Sequence, residues 1–373
     1  MRSMASKLTM AVAVSMAAYM GGIAMAAEKT TPLEVRGNFQ GKKGAEAIDL
    51  SGVACMPPKA DGSRLCLFVN DESRHAQFGV LAKGKITPGE ILPLIGKEPD
   101  DRTVGTPPET ECPVKNGKFS EFDGEGVAYA PPYFYIVGSH GCSRQGDEFK
   151  LSSFLLARVK VDSEGRPLGN GGEALEPDEW QEAVETTYRL SDYLAKADKV
   201  GGFFGKSLDA EENGLNIEGL AVDGERVLVG LRAPAFGGTA YLVAANSTDL
   251  FRPGGDPAKG KPEVIAMKLG KGLGVRDLAV LPGGRLLVLA GPAQQQTVPY
   301  QVFLVDHRKG GKPKLLAELA PVKGQPDPET GEETLAKAEA IAVLSADAGE
   351  ARVLLLFDGV ENGAPAEMRL RLE

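Results

Sequence analysis

The chain alternates short apolar runs with turns rich in Gly, Pro, Asp and Asn. Runs this short, dominated by Val, Leu, Ile and Phe, predict strands and tight turns rather than helices. One phrase recurs: Ser51-Gly-Val-Ala54, Glu125-Gly-Val-Ala128, Glu218-Gly-Leu-Ala221, Arg276-Asp-Leu-Ala279 and Glu339-Ala-Ile-Ala342. Each copy leads, after a turn containing Gly or Pro, into an apolar run at 65–69, 134–137, 227–231, 286–289 or 353–357. Arg64, Arg226, Arg285 and Arg352 introduce four of those runs. Third strands are expected at 78–82, 154–161, 240–244, 302–305 and 368–372, and fourth strands at 91–95, 187–193, 263–269 and 314–319. Four strands per unit, at a period of about 50 to 60 residues, is the spacing of β-propeller blades.

The fifth unit stops after its third strand. The segment Leu33-Glu-Val-Arg-Gly-Asn-Phe39, ahead of the first repeat, is a spare strand. Pairing the two ends would close the ring and remove two exposed sheet edges. The competing architecture is a pair of β-sandwiches with chance likeness in the turns. A phrase seen five times at one offset from the next strand favours an all-β propeller of five blades. A degenerate sixth could occupy 162–213. That stretch and 98–121 read as inserts in a single domain spanning 27–373, and the longer one carries Trp180 and a helix-like run at 177–185.

The N-terminus reads as an export signal. Arg2 and Lys7 precede an uncharged apolar run at 8–23, and Ala24-Met25-Ala26 has the small-x-small form of a cleavage site. The run is short for a membrane span and is broken by Thr9, Ser15, Gly21 and Gly22, so a cleaved signal at 1–26 is expected rather than an anchor. Removing Arg2 and Lys7 takes the formal charge from −9 to −11. Such an acidic surface repels nucleic acid and anionic lipid, so neither is expected as a partner, and no later segment is long and apolar enough to suggest a membrane span. A periplasmic or secreted location also suits the four cysteines, an even number without any Cys-x-x-Cys spacing.

Blade geometry sorts the chemistry. In a propeller the start of the first strand and the end of the second lie on one face, around the mouth of the channel. The starts carry Ser51, Glu125, Glu218, Arg276 and Glu339, with Asp277 next to Arg276, and with Asp123 and Asn216 two residues ahead of their phrases. The second-strand ends carry Asn70, Asp71, Ser139, His140, Arg232 and Asp358. Glu125, Glu218, Glu339 and Asp277 could hold a hard divalent cation such as Ca2+. They could equally stitch blade to blade through backbone hydrogen bonds, with Arg276 as a salt-bridge partner for its neighbours. Asn70, Asp71, Ser139, Arg276 and Asp358 are candidate ligand contacts, and His140 and Arg232 are candidates for moving a proton and orienting an anion. The same geometry places Cys55 near Cys66 on the opposite face and Cys112 near Cys142 at the mouth, which predicts these two disulfides.

The segments Phe122-Asp-Gly-Glu-Gly-Val-Ala128, Asn216-Ile-Glu-Gly-Leu-Ala221, Val229-Gly-Leu-Arg-Ala-Pro234 and Gly274-Val-Arg-Asp-Leu-Ala279 resemble a family of exported bacterial proteins known only as a domain of unknown function. The resemblance covers about 39–373 and implies a propeller-like domain with no established activity. The Glu-Gly-Leu-Ala phrase is also similar to one in calcium-dependent lactonases and esterase-like phytase relatives. There a Glu of the phrase holds metal with Asn and Asp from other blades. Glu125 or Glu218 could match that Glu, but no matching pair of Asn residues is evident. There is no Gly-x-Ser-x-Gly elbow, phosphate-binding glycine loop, His-Glu-x-x-His or Cys-x-x-Cys-His, so redox and nucleotide-dependent enzymes are not expected. The expected function is ligand or partner binding, or scaffolding, at an acidic channel mouth. Metal-dependent hydrolysis of a small ester, lactone or phosphoester is the alternative.

Overall fold

Inner strands that are buried on both sides need apolar residues almost throughout, and the five recurrent phrases supply them. In the computed structural model, which describes residues 30–143, 148–326 and 330–373, they become Leu50–Cys55, Gly124–Ala130, Asn216–Asp223, Leu273–Val280 and Lys337–Ala346. Each pairs antiparallel with the apolar run after it: Arg64–Asn70, Tyr133–Gly138, Arg226–Ala233, Leu286–Pro292 and Glu350–Asp358. Third strands follow at His75–Ala82, Leu156–Lys160, Ala240–Asn246, Gln301–Val305 and Ala366–Arg371. Outer strands Lys85–Pro93, Val184–Thr187, Glu263–Met267 and Pro313–Glu318 complete four of the sheets. The inner strands pack side by side in sequence, and the fifth returns to the first, so the ring is a closed five-bladed β-propeller.

Closure differs from the expectation in one respect. Thr31–Pro32, not 33–39, is the outer strand of the fifth blade, antiparallel to Ala366–Arg371, and Leu33 N–H donates to Pro365 O (2.8 Å). The chain then crosses over. Glu34–Val35 pairs parallel with Lys85–Pro93 as a fifth strand on the first blade. Phe39 explains why 36–39 leave the sheet. Its ring is buried against Phe68 (4.4 Å between centroids), and its N–H donates to Asn362 Oδ1 of the fifth blade (2.7 Å). The apolar side chain is worth more in the crack between the two blades than on a sheet edge.

The second blade holds another correction. The fourth strand expected at 187–193 ends at Thr187, and Arg189–Ala195 is an α-helix. Leu190, Tyr193 and Leu194 share one buried face at helical spacing, a period-3.6 signal inside what reads as an apolar strand. Thr187 Oγ1 accepts from Arg189 N–H (3.1 Å) where the strand turns into the helix. Among the described residues no sixth blade exists in 162–213: the segment supplies a 3-10 helix at Pro177–Ala183, the outer strand of the second blade and this helix. Trp180 docks edge-on against Phe78 of the first blade, 5.5 Å between centroids. The signal expected at 1–26 lies outside the described residues.

Candidate functional site

Every inner strand changes register at the same point of the recurrent phrase. Pairing steps from Leu50 to Gly52, Gly124 to Gly126, Ile217 to Gly219, Val275 to Asp277 and Ala338 to Ala340, leaving Ser51, Glu125, Glu218, Arg276 and Glu339 as the extra residues. A β-bulge re-aims the side chain at the extra position. Here it sends one side chain per blade into the channel mouth, where all five line one cavity of about 550 Å³.

The next phrase position sets how closely the blades approach. A Cβ on Gly52 would come within 3.1 Å of the backbone of Gly126, one on Gly126 within 3.0 Å of Leu220 N, and one on Gly219 within 3.1 Å of the backbone of Asp277. In the fourth blade the position is Asp277, fully buried, and its Oδ2 accepts from Ile341 N–H of the fifth blade (2.8 Å). Asp277 therefore sits in the ring, away from the cavity, and does the blade-to-blade stitching.

The cavity also gathers Asp71, Ser139, Arg232 and Asp358 from the second-strand ends, and Asp123 and Asn216 from ahead of the phrases. It does not gather Asn70 or His140. Both pairs sit where the second strand gives way to a turn, and the turn's backbone, left-handed at His140 (φ 51°), sends only one of each adjacent pair to the mouth. Asn70 Oδ1 accepts from Glu72 N–H (2.9 Å), a turn-closing role. His140 is fully buried behind the wall beside Phe154, and its Nδ1 lies 2.9 Å from Gly138 O. Burial pushes its pKa down to about 4. Lys42, Glu72, Glu121, Glu148, Lys150 and Lys337 also line the mouth and escaped the sequence reading. Lys337 could have been found, because it stands two residues before its phrase, as Asp123 and Asn216 do. Lys42 begins a 3-10 helix at Lys42–Gly44 and Lys150 ends a short strand at Glu148–Lys150, both outside the blade sheets, and neither carries such a signal.

The charges pair unevenly. Arg276 lies 2.9 Å from Glu218 and also pairs with Glu339, and Arg232 pairs with Glu218 at 2.8 Å. Lys42 pairs with Glu72 (2.9 Å), Lys337 with Asp358 (2.5 Å) and Lys150 with Glu121. Every cation lining the mouth among the described residues is thus engaged. Asp71, Asp123 and Glu125 have no cationic partner among them: from the described residues Asp123 accepts only the Ser139 hydroxyl, and none donates to the carboxylates of Asp71 or Glu125. The pKa values diverge accordingly. Burial, then the carboxylates around them, raises Asp71 and Glu125 well above the usual range. Burial also raises Asp123, against the Ser139 hydrogen bond. Burial works the same way on Glu218, but Arg276 and Arg232 outweigh it and hold its pKa down to about 2. Glu339, raised by burial to about 8, keeps its proton longer despite Arg276. Among the described residues no three acidic, His or Cys side chains are grouped to hold a metal ion.

Both predicted disulfides form. Cys55–Cys66 bridges paired positions of adjacent strands, and Cys112–Cys142 ties the entry to the second blade to a loop whose Cys142 lines the cavity. The far end of the channel is apolar, lined by Val53, Val127, Leu220, Leu278 and Ile341.

Residues 148–371, well over half of the chain, match the family described as "Protein of unknown function (DUF3616)". The chain belongs to the DUF3616 family. No curated protein matches this DUF3616 chain in sequence. Among solved structures it is similar to the catalytic domain of a GH62 α-L-arabinofuranosidase from Coprinopsis cinerea, at 10% identity and TM-score 0.41, covering 92% of this chain and 98% of that one. It is also similar to an α-L-arabinanase from Penicillium chrysogenum, at 10% identity and TM-score 0.37, covering 92% and 99%. A protein from Lactobacillus plantarum matches at 11% identity and TM-score 0.34, covering 92% and 81%. Likenesses this distant give the DUF3616 protein no specific activity. Among its described residues no helix is long and apolar enough to cross a membrane.

Proposed function

We propose that this DUF3616 protein is an exported propeller that binds a ligand in the charged mouth of its channel. The observation that carries this reading is a set of buried oxygens without partners around one cavity: Asp71 Oδ1, Asn216 Oδ1 and Glu339 Oε2. Protein interiors satisfy nearly all such groups, so a cavity that leaves several open is suited to a polar occupant. Export rests on the signal-like N-terminus and agrees with two disulfides.

The second reading is hydrolysis of a small ester, lactone or phosphoester assisted by a divalent cation. It draws support from carboxyl groups in one cavity whose pKa values are driven apart, which acid–base chemistry requires. It stands second because His140, the expected proton carrier, does not open on the cavity, and because the carboxylates are spread around the mouth.

Thermal unfolding of the EDTA-treated mature protein tests both. Divalent ions, amines, sugars and small esters are added in turn, since anything that binds only the folded state raises the midpoint. A class whose effect is lost in Asn216→Ala or Glu125→Gln supports a mouth site. Turnover of that compound would move hydrolysis ahead. No shift with any class would overturn the binding reading.

A further inference from the structure

The mouth's chemistry narrows the ligand further, on the reading that this cavity is a binding site. Three features bear on it. Charge comes first: five cations lining the cavity are engaged by carboxylates, whereas Asp71, Asp123 and Glu125 have no cationic partner among the described residues. An entering anion would have to break an existing ion pair, while an entering cation would find free acceptors. Hydrogen bonding comes second. Asn216 and Glu339 are each only 5% exposed, line the cavity, and have an oxygen without a partner. With Asp71 Oδ1 these ask for a ligand that donates. The orphan donor beside them, Arg276 Nε, belongs to a guanidinium already shared by two carboxylates.

Spacing comes third. Asp71 belongs to the first blade, Asp123 and Glu125 to the second, Asn216 to the third and Glu339 to the fifth. Among the described residues no three acidic groups are close enough to share one metal ion. A point cation can satisfy one part of this ring, not all of it. An extended molecule with several N–H donors can satisfy it, and about 550 Å³ accommodates one. Leu208 and Cys142, the less polar residues of the lining, are compatible with methylene spacers.

We propose that the ligand is a linear oligoamine carrying two or more ammonium groups, held by Asp71, Asp123 and Glu125 at one end and by Asn216 and Glu339 at the other. Each ammonium offers three donors to a site with unpartnered acceptors, and its charge favours ionisation of the carboxyl groups there that burial otherwise keeps protonated.

Isothermal titration and thermal unfolding of the mature protein, at low ionic strength and pH 7.5, test this with putrescine, spermidine and spermine. Lysine amide, Ca2+ and a neutral disaccharide are the comparison probes. The expected result is a concentration-dependent rise in midpoint with the oligoamines, larger as amine number grows. Ten-fold or greater loss of affinity is expected in Asp71→Asn, Glu125→Gln and Asn216→Ala. Glu34→Gln, a change at an exposed carboxylate that does not line the cavity, should bind as the parent does. The first two substitutions remove carboxylates that hold no other group among the described residues, so the variants should fold, and their unliganded midpoints check that. Oligoamine binding that survives in all three mouth variants, or falls equally in Glu34→Gln, would mean diffuse attraction to an acidic surface and overturn the proposal. Stabilisation by Ca2+ or the disaccharide but not by amines would overturn it and leave the binding reading standing. Lysine amide matching spermidine would replace the free oligoamine with a lysine side chain of a peptide. Silence from every probe would overturn both readings.

Discussion

Arg276 occupies the position where three other blades carry Glu, and its guanidinium lies between Glu218 and Glu339 with 3% of its surface exposed. Removing it would leave two carboxylates facing each other in a buried site. Arg276→Met is therefore expected to cost about 3–5 kcal/mol in urea unfolding, whereas Glu125→Gln, which breaks no pair, should cost little or stabilise. The same side chains set a pH dependence. Glu218, with a folded pKa near 2, adds stability above its ordinary value of 4.5 that is lost as pH falls towards 2. Asp49, raised by burial and by Asp358 to about 7, and Glu339, raised to about 8, act in the opposite sense. So do Asp71, Asp123 and Glu125. Above pH 4.5 the unfolded chain releases their protons while the folded chain still holds them, so stability declines as pH climbs towards 8. The groups facing them, Lys42, Lys150, Lys337, Arg232, Glu72, Glu121, Glu148 and Asp358, are those of the same cavity wall. A higher midpoint at pH 5.5 than at pH 8.5 is expected, with a smaller drop in Asp71→Asn/Glu125→Gln. A flat profile in the parent protein would mean that these carboxyl groups are ionised throughout.

The bulge at each inner strand is what turns a repeated phrase into a site. The phrase itself was legible, because five copies stand at one offset from the next apolar run. The bulge was not, since register depends on the partner strand, and nothing in Glu-Gly-Val-Ala states which residue will be left over. Elsewhere, one buried arginine organises a whole element. Arg189, fully buried, donates to the carbonyls of Asp256 (2.8 Å), Gly254 (2.6 Å), Asp249 (3.3 Å), Leu250 (3.4 Å) and Arg252. It joins the Arg189–Ala195 helix to the loop after Ala240–Asn246. Arg189→Met would strand several buried carbonyls, at about 1–3 kcal/mol for each one left dry. Faster amide exchange confined to the helix and to 249–258 is the expected signature. Loss confined to global stability would argue against a local clamp.

The ring is held shut by its first described strand. Thr31–Pro32 completes the fifth blade and Glu34–Val35 continues onto the first, so one short segment covers two sheet edges. Deleting 27–35 should lower the unfolding midpoint and expose the edge of Ala366–Arg371 to self-association, visible as a concentration-dependent mass in light scattering. A truncated protein with the parent's stability and the parent's mass in solution would show that the blades hold the ring without it.

Local patterning determined the five repeats, the order of strands within each blade, the two disulfide pairs and the face on which the charged residues gather. All of these follow from periodicity and turn chemistry, which act over a few residues. A sixth blade at 162–213 was excluded only by the structure. Only the tertiary structure decided which of two adjacent polar residues enters the mouth, as with Asp71 over Asn70 and Ser139 over His140. It alone assigned Asp277 to stitching and Arg276 to neutralisation, and left Asp71, Asp123 and Glu125 without a cationic partner among the described residues. These outcomes depend on which side chains from distant parts of the chain meet, and on how much water burial removes from them. Neither is written in the order of residues along one strand.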